Sequence, residues 1–467
     1  MTATLQPEKM TTRRLGLILT PLLGAAVAFQ LSASMLSPVL VTMERQLHAS
    51  VVSVSLTNTM GFLAMAIFSL FVPRLSDIIG RKRTMLGLLA FLAVGSAVSA
   101  IAPNVPVLMV GRIIMGVGGP VVQISLLMLR NEVHEPKRFN TMAGLIAAVN
   151  GGIAGVDVLV GGWIATNWGF RPVFWVIAGI AILAALLVSV LARNSQPTPN
   201  AHLDWTGVVL LAIALATATQ GLTEAGDLSH ANWALVGVLI LIAVIAAVGF
   251  WWRQRQSPQP FIPRGAIRDR SSIALLLTSF MCLTAEFALI NELVPALAQD
   301  KTHGFSLAPD STALVLLMPF ALAGWLVGPW AGRAAAKWGL GNVLRVGLAG
   351  TLVVFVGLVI FGSHSLTILV IGMILAGVFY AGIANIMLNS LGIVLAPPES
   401  PGVLPGLNSS MLNLGAGVSF VIIPALQSAG KGSSGYLIGM IAGTILMAVA
   451  LAVSFGIRNE PRVAAES

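Results

Sequence analysis

The sequence predicts an all-α protein that crosses a membrane many times, and three observations carry that prediction. Of its 467 residues, 57% are hydrophobic and only 9% are charged, where a soluble globular chain carries roughly 25% charged residues. The mean hydropathy is +0.91. The apolar residues also gather into long runs, and about 20 apolar helical residues suffice to cross the hydrocarbon core of a bilayer. A water-soluble enzyme is excluded at this point. So is intrinsic disorder, because sparse charge is combined here with abundant apolar surface.

Apolar runs fall at 15–41, 52–73, 84–102, 106–129, 140–164, 172–192, 206–222, 232–252, 271–296, 310–332, 343–361, 366–391, 403–426 and 435–457. Fourteen spans are expected, with twelve as the alternative; the glycine-broken runs 206–222 and 403–426 read least clearly as spans. The polar start, with Lys9, Arg13 and Arg14, leads into a run longer than a signal peptide's and without a small-residue cleavage site, so it reads as a retained first helix. The one cysteine, Cys282, lies within an apolar run, which excludes a disulfide framework and a zinc cluster. No metal is expected.

Charge sets the orientation. With a cytoplasmic N-terminus, the inner segments hold 21 Lys and Arg, and the outer ones hold only Arg45, Arg171, Lys301 and Lys431. By the positive-inside rule both termini are cytoplasmic, and the net charge of +9 reflects membrane orientation rather than nucleic-acid binding. Polar linkers at 193–205 and 252–270 divide the chain into a cytoplasmic N-terminus (1–14), a six-helix half (15–192), linkers with two inserted helices (193–270), a second six-helix half (271–457) and a cytoplasmic C-terminus (458–467). The halves repeat faintly. Pro73 to Arg83 follows the second run much as Gly328 to Gly339 follows the tenth, and Asn150-Gly-Gly-Ile-Ala-Gly echoes Asn413-Leu-Gly-Ala-Gly. Related halves are a mark of secondary transporters.

Polar residues inside the runs locate the candidate site. Gln30, Ser34 and Ser37 share one face of the first helix, as do Arg112, Gly116, Gly119 and Gln123 of the fourth. Thr278, Cys282 and Glu286 line the ninth, and Asn385 and Asn389 the twelfth. Polar faces in a bilayer must meet each other or water, so four of them converge on one central cavity. The third, sixth, eleventh and fourteenth runs are nearly pure apolar and can face lipid. An ionisable group within a span is a functional candidate. Arg112, Asp157 and Glu286 qualify, with Glu286 expected to carry the proton; Glu292, near a span end, reads as solvated. Arg112 with Asp157 as a structural ion pair is the competing reading. Gly151, Gly155, Gly161 and Gly162 are read as helix-packing residues, and Asn58, Asn150 and Asn408 as interhelical hydrogen-bonding groups.

The stretch Leu75-Ser76-Asp77-Ile78-Ile79-Gly80-Arg81-Lys82-Arg83 resembles a loop motif of the major facilitator superfamily, with Pro73 where the motif opens on glycine. Leu108, Arg112, Gly116, Gly118 and Gly119 resemble that family's fourth-helix motif, with Met115 in place of glutamine. Asp204-Trp205-Thr206-Gly207 and Gln259-Pro260-Phe261-Ile262-Pro263 resemble the inserted helix pair of its fourteen-helix drug:proton antiporter branch. The resemblance spans nearly the whole chain. It implies a rocker-switch transporter in which Asp77, Gly80, Arg81, Lys82 and Arg83 form a cytoplasmic gate, with Arg130 or Arg138 as partners. Two stretches depart from the branch: Asp157-Val158-Leu159-Val160-Gly161-Gly162 replaces a proline-glycine motif, and Phe29-Gln30 stands where an acid is usual.

No phosphate-binding loop, potassium filter or clustered catalytic motif is present, which argues against an ATP-driven pump, a channel and an enzyme. The sequence therefore predicts a monomeric secondary transporter of the plasma membrane without cofactors, driven by the proton gradient. Proton-coupled efflux of lipophilic or cationic compounds is the main expectation, and proton-linked uptake or exchange of a small organic solute is the alternative. Its partners are lipid, protons and a small-molecule substrate, and no nucleic acid.

Overall fold

A computed structural model describes residues 12–133, 135–194, 204–226, 231–256, 269–362, 364–396, 403–429 and 433–458. Among these residues every regular element is helical. The first six are α1 (Thr12–Ser34, resumed at Leu40–Leu47), α2 (Val51–Ile79), α3 (Arg81–Ala100), α4 (Val105–Glu132), α5 (Pro136–Trp168) and α6 (Arg171–Leu191). Then come α7 (Trp205–Gly226) and α8 (Trp233–Gln256). The last six are α9 (Arg270–Gln299), α10 (Pro309–Trp338), α11 (Leu340–Phe361), α12 (Leu366–Val394), α13 (Val403–Ala429) and α14 (Ser433–Ser454).

Among the described residues, 12 helices are long and apolar enough to cross a membrane. The other two, α5 with 33 residues and α13 with 27, have the length for it at 1.5 Å rise per residue. Twelve spans are what length and apolarity together support, and the expected fourteen would count α5 and α13 as well. The linker residues Gln259 to Pro263 lie outside the described residues.

The helix ends follow local chemistry. Asn104 caps α4 by accepting from the Val107 N–H at 3.1 Å, and Asp269 caps α9 by accepting from Ser272 at 3.3 Å. Gly80 (φ 100°) and Gly339 (φ 82°) sit between α2 and α3 and between α10 and α11. Both turn the chain straight from one helix into the next, in a conformation that a side chain would strain. The suspected repeat thus coincides with one turn used twice. These glycines mark the basic end of the bundle, beside Arg81 to Arg83; His48, Gly169 and Lys301 mark the far end.

Two hydrophobic cores form. One draws mainly on α1 to α6, through residues such as Met35, Leu89, Met115 and Phe174. The other draws mainly on α9 to α14, through Leu289, Leu316, Phe355 and Met447. A small aromatic cluster joins them where α2 meets α13: the Phe62 ring lies 5.1 Å from Phe287 and 5.9 Å from Phe420. The α7–α8 pair packs over this seam, with α7 touching α2 and α13. Arg253 pairs with Asp204 at 3.2 Å and ties α7 to α8 at the basic end. Exposed Leu241, Ile245 and Val248 on α8, with Ile182 and Leu186 on α6 and Val353 on α11, give outer faces suited to hydrocarbon.

Four helices are not continuous α-helices. In α1 the regular helix stops at Ser34 and passes through a 3-10 turn at Ser37–Val39; in α4 it opens between Gly116 and Val121. By contrast, α9 and α12 widen into π-helix at Phe287–Leu293 and Gly377–Ala384, and α10 does so at Ala313–Leu317. Pro295 and Pro319 each lie two residues past such a segment. A proline ring collides with the carbonyl four residues back in an α-helix, and a π turn relieves that collision.

Candidate transport site

Arg112 is the largest buried charged side chain, 2% exposed. Its Nη2 donates to Asn58 Oδ1 of α2 at 2.7 Å, and Nη1 reaches the Ser32 carbonyl of α1 at 3.5 Å. Gly61 and Gly116 make room for this contact: a Cβ on Gly116 would lie 2.5 Å from the Gly61 carbonyl. No carboxylate is bonded to the guanidinium among the described residues, and its Nε has no partner. The competing ion pair with Asp157 is therefore not present, because Asp157 is held elsewhere. Asn58 takes the interhelical role read for it, as does Asn408, which accepts from Ser279 of α9 at 2.6 Å and donates to the Leu388 carbonyl of α12 at 3.2 Å. Asn150 lies outside the residues whose surroundings are described.

Asp157 ends a polar chain. Gln30 Nε2 donates to Ser34 Oγ at 2.8 Å, and Ser34 Oγ donates to Asp157 Oδ2 at 2.5 Å. Residues Gln30 and Ser34 stand one turn apart on α1, as the sequence spacing requires, and α5 brings Asp157 to them. Its other oxygen, Oδ1, is buried without a partner.

Glu286 ends the regular part of α9, buried on a face with Thr278 and Cys282. Asn291 Nδ2 donates to Glu286 Oε1 at 2.9 Å, and Asn291 Oδ1 accepts from Ser37 Oγ of α1 at 3.0 Å. Next to it, Glu292 accepts from Ser55 of α2 at 3.3 Å. Glu292 is only 5% exposed, so the solvated carboxylate expected from its position is instead buried between the halves. Sequence reasoning missed Asn291 and Ser55. A helical wheel at about 100° per residue puts positions 286 and 291 on different faces; the π turn, with its i to i+5 bonding, brings them together. The available signal was an Asn-Glu pair inside an apolar run.

The remaining candidates stand apart from these clusters. Gln123 is half-buried, and its Oε1 has no partner. Asn389 Nδ2 donates to Asn385 Oδ1 at 3.0 Å, and among the described residues no bond links either asparagine to the acids. Asp77 pairs with Arg81 at 3.3 Å. Arg81 also donates to the Leu127 carbonyl of α4 at 2.6 Å, and Lys82 to the Ser189 carbonyl and the Ala192 carbonyl beyond α6 at 2.8 and 2.7 Å. The expected partner Arg138 is engaged instead with Glu135 at 2.7 Å. The cluster, with Gly80 at its turn, ties elements of the first half to one another. Arg83 is exposed. Gly155 faces Ala321 of α10 at a would-be Cβ distance of 3.0 Å, and Gly162 faces the Pro309 carbonyl at 2.8 Å; Gly161 lies against Met35. The surroundings of Gly151 lie outside the description.

At the far end the halves are sealed. Besides the Ser37–Asn291 and Ser55–Glu292 bonds, Gln299 Nε2 reaches the Pro38 carbonyl at 3.5 Å and the Asp310 N–H donates to Thr166 Oγ1 at 3.2 Å. A shallow recess of about 440 Å³ lies over this seal, lined by Arg45, Thr166, Gln299 and Lys301.

Two six-helix groups around a polar interior, sealed at one end, invite comparison with known carriers. The profile of the Major Facilitator Superfamily matches residues 22–420. This chain belongs to that superfamily. It is a secondary transporter, and not an enzyme. It is 44% identical over 451 residues to a uridine/deoxyuridine transporter of Lactococcus lactis, covering 94% of this chain and 93% of the relative. It is 26% identical over 395 residues to a tetracenomycin C resistance and export protein of Streptomyces glaucescens, covering 83% and 71%. Among solved structures, the nucleoside transporter NupG (D323A mutant) superposes with a TM-score of 0.64 at 13% identity, over 94% of this chain and 99% of that one. A POT family transporter in complex with 5-aminolevulinic acid gives 0.69 at 13% identity over 94% and 96%. The superfamily implied by the sequence motifs is thus established, whereas membership of the drug:proton antiporter branch is not. The weight of the comparisons moves from efflux, the main expectation, to the alternative of uptake.

Proposed function

We propose that this protein imports a pyrimidine nucleoside of the uridine type, coupled to protons, by alternating access across the plasma membrane. The observation that carries this reading is the 44% identity to a uridine/deoxyuridine transporter, which runs through both halves and the inserted pair. The interior chemistry supports it. A uracil ring offers an imide N–H between two carbonyls, and ribose offers hydroxyls. The carboxamides of Gln30, Gln123, Asn385 and Asn389 each provide both donor and acceptor. A lipophilic cation would instead call for a free carboxylate, and both Asp157 and Glu286 already accept a hydrogen bond.

In this reading Glu286 carries the proton, and Asp157 with Ser34 and Gln30 forms a second polar site. Asp77, Gly80, Arg81, Lys82 and Arg83 steady the cytoplasmic end, which is the basic end. The chain works as a monomer with fourteen spans, both termini inside and the boundaries given above, and Gly151, Gly155, Gly161 and Gly162 serve helix packing.

Radiolabelled uridine uptake into proteoliposomes under an inward proton gradient tests the proposal. Accumulation should occur, collapse with a protonophore and be competed by deoxyuridine. Glu286→Gln should abolish accumulation while preserving exchange of labelled for unlabelled uridine. Ethidium extrusion without any uridine uptake would restore the efflux reading.

A further inference from the structure

We infer that Asn291 couples the charge on Glu286 to closure of the far end. The inference rests on the proposed reading only in taking Glu286 as the proton carrier. A carboxamide has one donating end and one accepting end. Asn291 uses its donor on Glu286 Oε1 at 2.9 Å and its acceptor on Ser37 Oγ at 3.0 Å, and Ser37 belongs to the opposite half. An ionised Glu286 accepts only, so it fixes the amide with Oδ1 turned toward Ser37, and the bond across the halves is made. A protonated Glu286 gains an O–H donor that the same amide oxygen can accept. The amide then reverses, two N–H groups face Ser37, and the bond from the Ser37 hydroxyl is lost.

The placement fits a latch. Ser37 opens the 3-10 turn where α1 is interrupted, and Asn291 lies inside the π segment of α9. Both helices can therefore shift locally without unwinding a regular span. Glu292, next in the chain, makes the second bond across the seam with Ser55, so a movement of this π turn engages or frees both. Around Glu286 the titratable groups are Cys282 and Glu292 on α9, Tyr380 on α12 and Tyr436 on α14; α13 carries none, nor does the Ser37–Val39 turn. Tyr380 and Cys282 feel the Glu286 charge, but neither contacts the opposite half in the bonds described. Asn291 alone joins the acid to α1. By linkage, whatever closure of the far end does to the proton, the proton does to closure.

The test reads the gap directly. In a Cys282→Ala background, spin labels at Arg45→Cys and Lys301→Cys lie on opposite halves beside the far-end recess, and their distance distribution is measured in full-length protein in nanodiscs from pH 5 to 9, without substrate. The short-distance population should grow as pH rises, following one titration. Glu286→Gln should remove that dependence. Ser37→Ala, which leaves the Asn291–Glu286 bond intact, and Asn291→Ala should each reduce its amplitude at least twofold. A wild-type distribution indifferent to pH overturns the inference, as does full pH dependence in Ser37→Ala or in Glu286→Gln. The measurement uses no nucleoside, so a chain that carries some other solute would fail the uptake test yet still titrate here.

Discussion

The two halves interrupt their helices in different ways. In the first half α1 and α4 break into open turns at Ser34 to Val39 and Gly116 to Val121, where Pro38 and Pro120 have no N–H to offer. In the second half α9, α10 and α12 stay helical but widen into π turns. The polar groups follow suit. Arg112, Asn58, Gln30, Ser34 and Asp157 bond within the first half, whereas Asn291 and Glu292 reach out of the second half to Ser37 and Ser55 of the first. The comparison teaches that one half is internally closed and that the other supplies the contacts able to respond. π segments recur at functional positions for this reason: an extra residue re-aims a side chain at low cost in backbone hydrogen bonds.

The largest effect expected from breaking the comparison is in the first half. Arg112→Ala orphans Asn58 Oδ1 in a buried place, at about 1–3 kcal/mol per stranded polar group, and the detergent melting temperature should fall accordingly. Because Arg112 and Asp157 share no bond, Arg112→Ala/Asp157→Ala should lose the sum of the two single changes. Recovery in the double variant would reinstate an ion pair and dissolve the distinction drawn here.

A smaller effect sharpens the packing side. Gly415 of α13 faces the Phe280 carbonyl and Thr284 of α9, so a methyl there meets backbone. Gly415→Ala should cost about 1–3 kcal/mol, as overpacking does. Gly155→Ala meets only the Ala321 methyl at 3.0 Å across the seam, and its melting curve should shift less. Equal shifts would mean that the second half is no tighter inside than the contact between halves.

The smallest effect concerns pH at the far end. Partial burial pushes the Asp300 carboxyl up, but bonds from the Thr302 N–H and hydroxyl, the His303 N–H and the Tyr436 hydroxyl outweigh it and hold Asp300 down at about 2. A depressed acid stabilises the fold above its unfolded value of ~3.9, and that contribution is lost as pH falls toward the folded value. Melting temperatures between pH 5 and 2.5 should therefore drop slightly less in Asp300→Asn than in the wild type. Identical slopes would show that the α9–α10 turn adds nothing to this half.

Much of this was legible from residue order. Hydropathy gave the helical class, the faint repeat of Pro73 to Arg83 with Gly328 to Gly339 marked matching turns, and regular i, i+4 spacing placed Gln30 with Ser34. The helix 5 acid was visible as well, though not its partner, since Ser34 lies 123 positions away in sequence. The Asn291 contact was hidden because a wheel drawn at 3.6 residues per turn assigns the wrong face across a π segment. Burial of Glu292 was hidden for another reason: depth along a span says nothing about which neighbour closes over it.

The inserted pair has a consequence for the route a solute takes. With α7 laid against α2 and α13, a molecule dissolved in the surrounding lipid meets α7 and α8 before it can reach that seam. Sideways entry on this flank is shuttered, and the polar interior is left to be filled through the aqueous mouths. A water-loving cargo loses nothing by that arrangement, whereas a greasy one is denied a shortcut.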